Sequence, residues 1–123
     1  MGNTESLQLF EDRRIRTAWN EEEEEWYFSI VDIISVLTDS VDYQTARKYW
    51  NKLKQRLSEE GNEPVTNCHR LKLTAADGKQ RITDVADTEQ LFRLIQSVTS
   101  KKAEPVKQWI ARTAAARIDQ LMV

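Results

Sequence analysis

The sequence predicts an α+β fold in one small domain. Its parts are an N-terminal β-hairpin or meander, a helix pair resembling a helix-turn-helix, a second β-hairpin and two C-terminal helices. Three observations predict it. Strand-like alternation fills residues 7–28 and returns near residues 68–85. Apolar residues spaced three and four apart follow each of those stretches. Capping and turn residues stand where one period gives way to the other. With 123 residues, 40% of them hydrophobic, the chain is long enough for one core, and no internal repeat or low-complexity linker divides it.

Each element has its own local cause. Residues 1–6 read as a disordered tail, and Leu7-Gln8-Leu9-Phe10 as a short strand. Ile15, Thr17 and Trp19 alternate with Arg14, Arg16 and Ala18 as a second strand, and Trp26-Tyr27-Phe28 forms a third. Between them stand Asn20 and the run Glu21–Glu25, whose like charges repel and predict a solvated hairpin connection. Ser29 then offers an N-cap and Asp32 a first-turn carboxylate to a helix over 30–37, carried by Ile30, Ile33, Ile34 and Leu37. Thr38-Asp39-Ser40 breaks it. A second helix over 42–58 buries the stripe Ala46, Trp50, Leu53 and Leu57, with Gly61 just past its end.

A polar connection over 59–67 leads to a hairpin over 68–85, turned by Asp77-Gly78. Leu71, Leu73 and Ile82 are expected inward, with Arg70 and Lys72 outward. Asp87 and Gln90 cap a third helix, which buries Leu91, Leu94, Ile95 and Val98. Pro105 stands near the start of the last helix, whose apolar side is Val106, Trp109, Ile110, Ala114, Ile118 and Leu121. That helix lacks a stop signal before Val123. The domain is therefore read as residues 7–120, with room for a further C-terminal domain beyond residue 123.

Composition removes several classes of function. The longest apolar run is three residues, as in Trp26-Tyr27-Phe28, where a membrane helix needs about 20. The first residues lack the basic and apolar regions of a secretory signal, and Met1-Gly2 reads as an ordinary start rather than an acylation site. Cys68 is the only cysteine, so no internal disulfide forms and a reducing, cytoplasmic setting fits. Three glycines, Gly2, Gly61 and Gly78, cannot build a dinucleotide fingerprint or a phosphate loop. His69, the only histidine, adjoins Cys68 without a second ligand pair, and strand neighbours point to opposite faces. Asp32, Asp39, Asp42, Asp84 and Asp87 read mostly as caps rather than as the metal-carboxylate cluster of a nuclease. No catalytic residue, metal or cofactor is expected, and the chain is not read as an enzyme.

The charge pattern is more informative than the net charge of -2. Residues 1–46 hold 3 basic and 11 acidic residues, whereas residues 47–123 hold 15 basic and 9 acidic. On the second helix, Gln44, Lys48, Asn51, Lys52 and Gln55 fall within about 100° of one another, away from Trp50. Arg47 and Lys54 flank the apolar stripe on one side and Arg56 on the other. Lysine attracts phosphate and donates to guanine, while Asn and Gln bond adenine edges, so this face has the chemistry for reading DNA. Lys48, Asn51, Lys52 and Gln55 are the candidates for a groove. Arg47, Arg56, Arg70 and Lys72 are candidates for phosphates, and Lys101 and Lys102 at the last helix's start are further ones.

The order of these pieces resembles the Bro N-terminal domain of baculovirus repeated-ORF proteins and phage antirepressors. Three stretches carry the resemblance. They are Trp26 to Ile33, an aromatic strand running into a helix; Ala46-Arg47-Lys48-Tyr49-Trp50 through Leu57; and a series of four short segments. These four are Ile82 to Val85, Leu91 to Ile95, Ser100 to Glu104 and Lys107-Gln108-Trp109-Ile110. The resemblance spans about residues 7–120 and departs at Asp87-Thr88-Glu89, where the family commonly has a glycine. It implies a non-enzymatic module that binds double-stranded DNA in a prophage or mobile-element transcriptional regulator. One alternative stays open, an antirepressor adapter that meets a repressor's basic surface through Glu21–Glu25. A homodimer would suit a palindromic DNA site.

Overall fold

The computed structural model describes residues 3–61 and 69–121. Among the described residues, nine elements follow in chain order: β1 (Asn3–Phe10), β2 (Arg13–Asn20), β3 (Glu25–Ser29), α1 (Ile30–Thr38), α2 (Tyr43–Glu59), β4 (His69–Thr74), β5 (Gln80–Ala86), α3 (Thr88–Gln96) and α4 (Ala103–Leu121). The strands form one antiparallel sheet in the order β1-β2-β3-β5-β4. The predicted α+β class and element order are those observed. The expected side chains of Cys68, Ile118 and Leu121 lie outside the described ones, as does the connection 62–68.

The sheet's period of two divides its residues between two cores. Ile15, Trp19, Trp26, Phe28 and Ala86 point to one face and pack against the buried stripes of all four helices. These stripes include Ile30, Ile33 and Ile34 of α1, Trp50, Leu53 and Leu57 of α2, Leu91 and Leu94 of α3, and Val106 and Ile110 of α4. Ala18, Tyr27, Leu73 and Val85 form a smaller cluster on the other face. The caps act as their residue types dictate. Ser29, Asp42 and Asp87 each accept from a backbone N–H of the first turn, and Asp87 forms a full capping box with Gln90.

Two expectations need correction. The first strand starts at Asn3, not at residue 7, and pairs with β2 along its whole length from Asn3↔Asn20 to Phe10↔Arg13. Residues 3–6 therefore belong to the sheet. They are held partly by a distant partner: the Glu5 carboxylate accepts the Thr74 backbone N–H (2.9 Å) and hydroxyl (3.1 Å). The second correction is Ile82, expected inward and found 68% exposed. The register pairs Lys72 with Ile82 and Leu73 with Arg81. Ile82 thus shares a sheet face with Lys72, while Thr83 and Val85 are buried.

The pairing of β2 with β3 stops at Thr17↔Phe28, and Arg16 turns to α1 instead. The Asp32 carboxylate accepts the Arg16 backbone N–H at 2.9 Å and also takes the guanidinium at 2.8 and 3.1 Å. The same guanidinium donates to the Thr74 carbonyl (3.3 Å) and lies 5.6 Å from the centre of the Tyr43 ring. One half-buried arginine thus ties the sheet to α1, to the first residue of α2 and to the end of β4.

Candidate nucleic-acid interface

α2 forms where the sequence places it because Asp42 caps it and the chain turns sharply before it. Asp39 takes the left-handed backbone (φ 52) that ends α1, a conformation aspartate tolerates better than most residues. Arg13 (2.7 Å) and Lys102 (3.7 Å) meet its carboxylate. Ala46, Trp50, Leu53 and Leu57 are buried, so the rest of α2 faces outward. Arg47, Lys48, Asn51, Lys52 and Gln55 are all exposed, and no acidic residue interrupts them before Glu59. Gln55 donates weakly to Glu59, at 3.4 Å.

The β4–β5 hairpin joins this helix through Asp84. Asp84 stands opposite Arg70 in the ladder, on the face that carries Ile82 and Lys72. Its carboxylate accepts the buried Trp50 indole N–H at 2.8 Å and the Lys54 ammonium at 3.0 Å, and lies 3.3 Å from the Arg70 guanidinium. Burial alone would raise the Asp84 carboxyl. The hydrogen bonds from Trp50 and Lys54 and the charges of Lys54 and Arg70 outweigh it and hold the group below the usual range. Asp84 and Arg16 thus tie the hairpin to α2 at two separate points. Between them on the hairpin lies the Lys72–Ile82 pair.

The structure therefore brings Arg70 to the flank of α2 that carries Lys54, with Lys72 two residues along β4 on the same sheet face, and on the helical wheel Arg47 and Asn51 adjoin that flank. Lys48, Gln55 and Lys52 continue the exposed surface away from the hairpin. Arg56 is separate: it lies on the opposite flank and donates to the Ser97 carbonyl at 3.3 Å. Lys101 and Lys102 sit at the start of α4, where Ser100 accepts the Lys102 N–H (3.0 Å) and donates to the Leu37 carbonyl (2.6 Å). Lys102 faces Asp39 in the turn before α2. Sequence reasoning gave no site role to Lys54, Asp84 or Ile82. The only available signal was that a buried Trp50 needs an acceptor for its N–H.

The acidic run lies elsewhere. Glu21–Glu24 form the turn between β2 and β3, as the repulsion argument requires, and Glu23 accepts the Tyr27 hydroxyl at 2.8 Å. Tyr27 belongs to the sheet face opposite the helices. Burial, then the charges of Asp87, Glu23 and Glu89, push the Glu25 carboxyl up. Burial and the bond to Glu23 likewise raise the Tyr27 phenol.

Among the described residues, no group of three or more His, Cys, Asp and Glu is placed to hold a metal ion. His69 packs its ring against Tyr27, with centroids 5.0 Å apart. No described helix is long and apolar enough to cross a membrane. No curated protein and no solved structure matches the chain. The family model described as "BRO family, N-terminal domain" matches residues 14–116, from β2 into α4. This family points to a DNA-binding regulatory domain. A match over most of the chain, across the elements that build the α2–hairpin surface, shows that the chain belongs to the BRO family through its N-terminal domain.

Proposed function

We propose that this domain binds duplex DNA, without catalysing a reaction on it, as the DNA-binding module of a prophage or mobile-element transcriptional regulator of the antirepressor type. The observation that carries this reading is the joining of α2 to the β4–β5 hairpin through Asp84. It gives a helix face with no acidic residue before Glu59 and two hairpin cations one common surface. In this reading Lys48, Asn51, Lys52 and Gln55 face a groove, where the two lysines also neutralise phosphates at its edges, and Arg47, Lys54, Arg70 and Lys72 hold the adjoining phosphates. Arg56, Lys101 and Lys102 are more remote phosphate contacts. The setting is cytoplasmic.

Neutralising about four to six phosphates makes affinity fall about 10²–10³-fold between about 50 and 200 mM salt. The experiment is a salt titration of binding to mixed-sequence duplex. The double substitution Lys48→Ala/Lys52→Ala should lower the slope of log K against log salt by about 2. No binding at low salt, or an unchanged slope in the double variant, refutes this site. A second reading draws on the gathering of Glu23, Glu25, Asp87 and Glu89: an adapter surface for a repressor's basic face. It is supported if changing Glu21–Glu25 to glutamine abolishes copurification with a repressor while DNA binding persists.

A further inference from the structure

We propose that Ile82 is an apolar DNA contact on the β4–β5 hairpin and a specificity-determining residue of the surface described above. The proposal rests on the DNA-binding reading and adds a contact that charge does not supply. Ile82 is 68% exposed, although the strand already buries Thr83 and Val85 on its other face. In the ladder it stands opposite Lys72, between the Asp84–Arg70 and Gln80–Thr74 pairs. It therefore lies between the two points that tie the hairpin to α2, Asp84 at one end and Arg16 with Thr74 at the other.

A single exposed isoleucine is ordinary on a protein surface. This one is set among cations, with Lys72 opposite, Arg70 one pair along and the basic flank of α2 beyond. A partner that covers Ile82 must also accept those positive charges. It must be a polyanion with apolar surface recessed between its charges. Duplex DNA has that chemistry in two places: the thymine methyl in the major groove, and the deoxyribose walls and base edges of the minor groove. Phosphates around the rim would meet Arg70 and Lys72 while the isoleucine enters between them.

The test is Ile82→Thr, which keeps a β-branched residue in the strand. Affinity for duplex should fall about tenfold, the scale of partly burying one such side chain. The slope of log K against log salt should not change, because no charge is removed. Ile82→Val should stay within about threefold of the parent protein, and Lys72→Ala should lower the slope by about 1. Thermal unfolding of Ile82→Thr checks that the fold is intact. Replacing thymine by uracil in the duplex separates the two sources. A loss in the parent protein that is absent from Ile82→Thr identifies the methyl; no loss in either identifies the sugar or minor-groove surface. If the parent protein binds with the expected salt dependence and Ile82→Thr binds within about twofold of it, the Ile82 proposal is overturned and the DNA reading stands. If the parent protein does not bind duplex at low salt, both fall.

Discussion

Asp84 joins two elements that are separate in sequence, so its removal has a calculable effect on stability. In Asp84→Ala the Trp50 indole N–H, on a residue only 2% exposed, loses its acceptor. A buried donor left unpaired costs about 1–3 kcal/mol. Lys54 and Arg70 also lose their partner. Their side chains are 31% and 68% exposed, so solvent takes up most of that loss, and each pair contributes about 0–1 kcal/mol. The expected total is about 2–3 kcal/mol, most of it from the neutral indole. Asp84→Asn keeps a carbonyl for Trp50 and loses only the charge, so it should cost about 1 kcal/mol or less. Urea unfolding followed by tryptophan fluorescence measures both. The pH dependence follows from the direction of the shift. The folded Asp84 titrates below its unfolded value, so its contribution is present above about pH 4 and is lost as pH falls through the folded value. The stability gap between the parent protein and Asp84→Asn should therefore close below about pH 4. Equal losses in the Ala and Asn variants would refute the argument, because the charge and not the indole would then dominate.

Two further outcomes test the fold that carries the site. Asp32→Ala leaves Arg16 without the carboxylate that takes both its backbone N–H and its guanidinium, with the pair's side chains only 13% and 11% exposed. It should cost about 3 kcal/mol in urea unfolding, and a loss under about 1 kcal/mol would contradict the role given to Arg16. Gly78→Ala meets no atom within 4 Å but must hold φ +84. Its cost should be the backbone term alone, about 1 kcal/mol, seen as a lower melting temperature; a neutral result would rule out the left-handed turn.

Element order was legible because each helix carries its own period and its own cap. Ser29, Asp42 and Asp87 perform the capping that their residue types promise. The facing of the second hairpin was not legible. Ile82 and Val85 differ in parity, so only one can point inward, and hydrophobicity favours neither strongly. Tyr27 and Ala18 decide it by covering the face of Val85 and Leu73, and they come from strands far back in the chain. The early start of β1 was hidden for the same reason. Asn3-Thr4-Glu5-Ser6 is polar, and its strand state depends on β2 and on Glu5 meeting Thr74, 69 residues away. The α2 candidates were legible because a helical wheel needs only local geometry. Their link to Arg70 and Lys72 depends on one tertiary carboxylate, which no periodicity reports.

That carboxylate also explains why net charge was a poor guide. A total of -2 argues against a polyanionic partner only if charge is evenly spread. Here Glu23 reaches Tyr27 on the sheet face opposite the helices, and Glu25 is grouped with Asp87 and Glu89. Asp84, like Glu59 at the end of α2, is an acid beside the basic surface. By sitting between Lys54 and Arg70 it offsets the repulsion that would push the hairpin away from α2, and it leaves the pair with a net positive charge. Removing it would make the surface more basic but less well defined. Asp84→Asn is therefore the variant in which charge and geometry separate. It should bind mixed-sequence DNA more tightly at low salt, whereas Asp84→Ala, which also takes the acceptor from Trp50, should in addition lose discrimination between sequences.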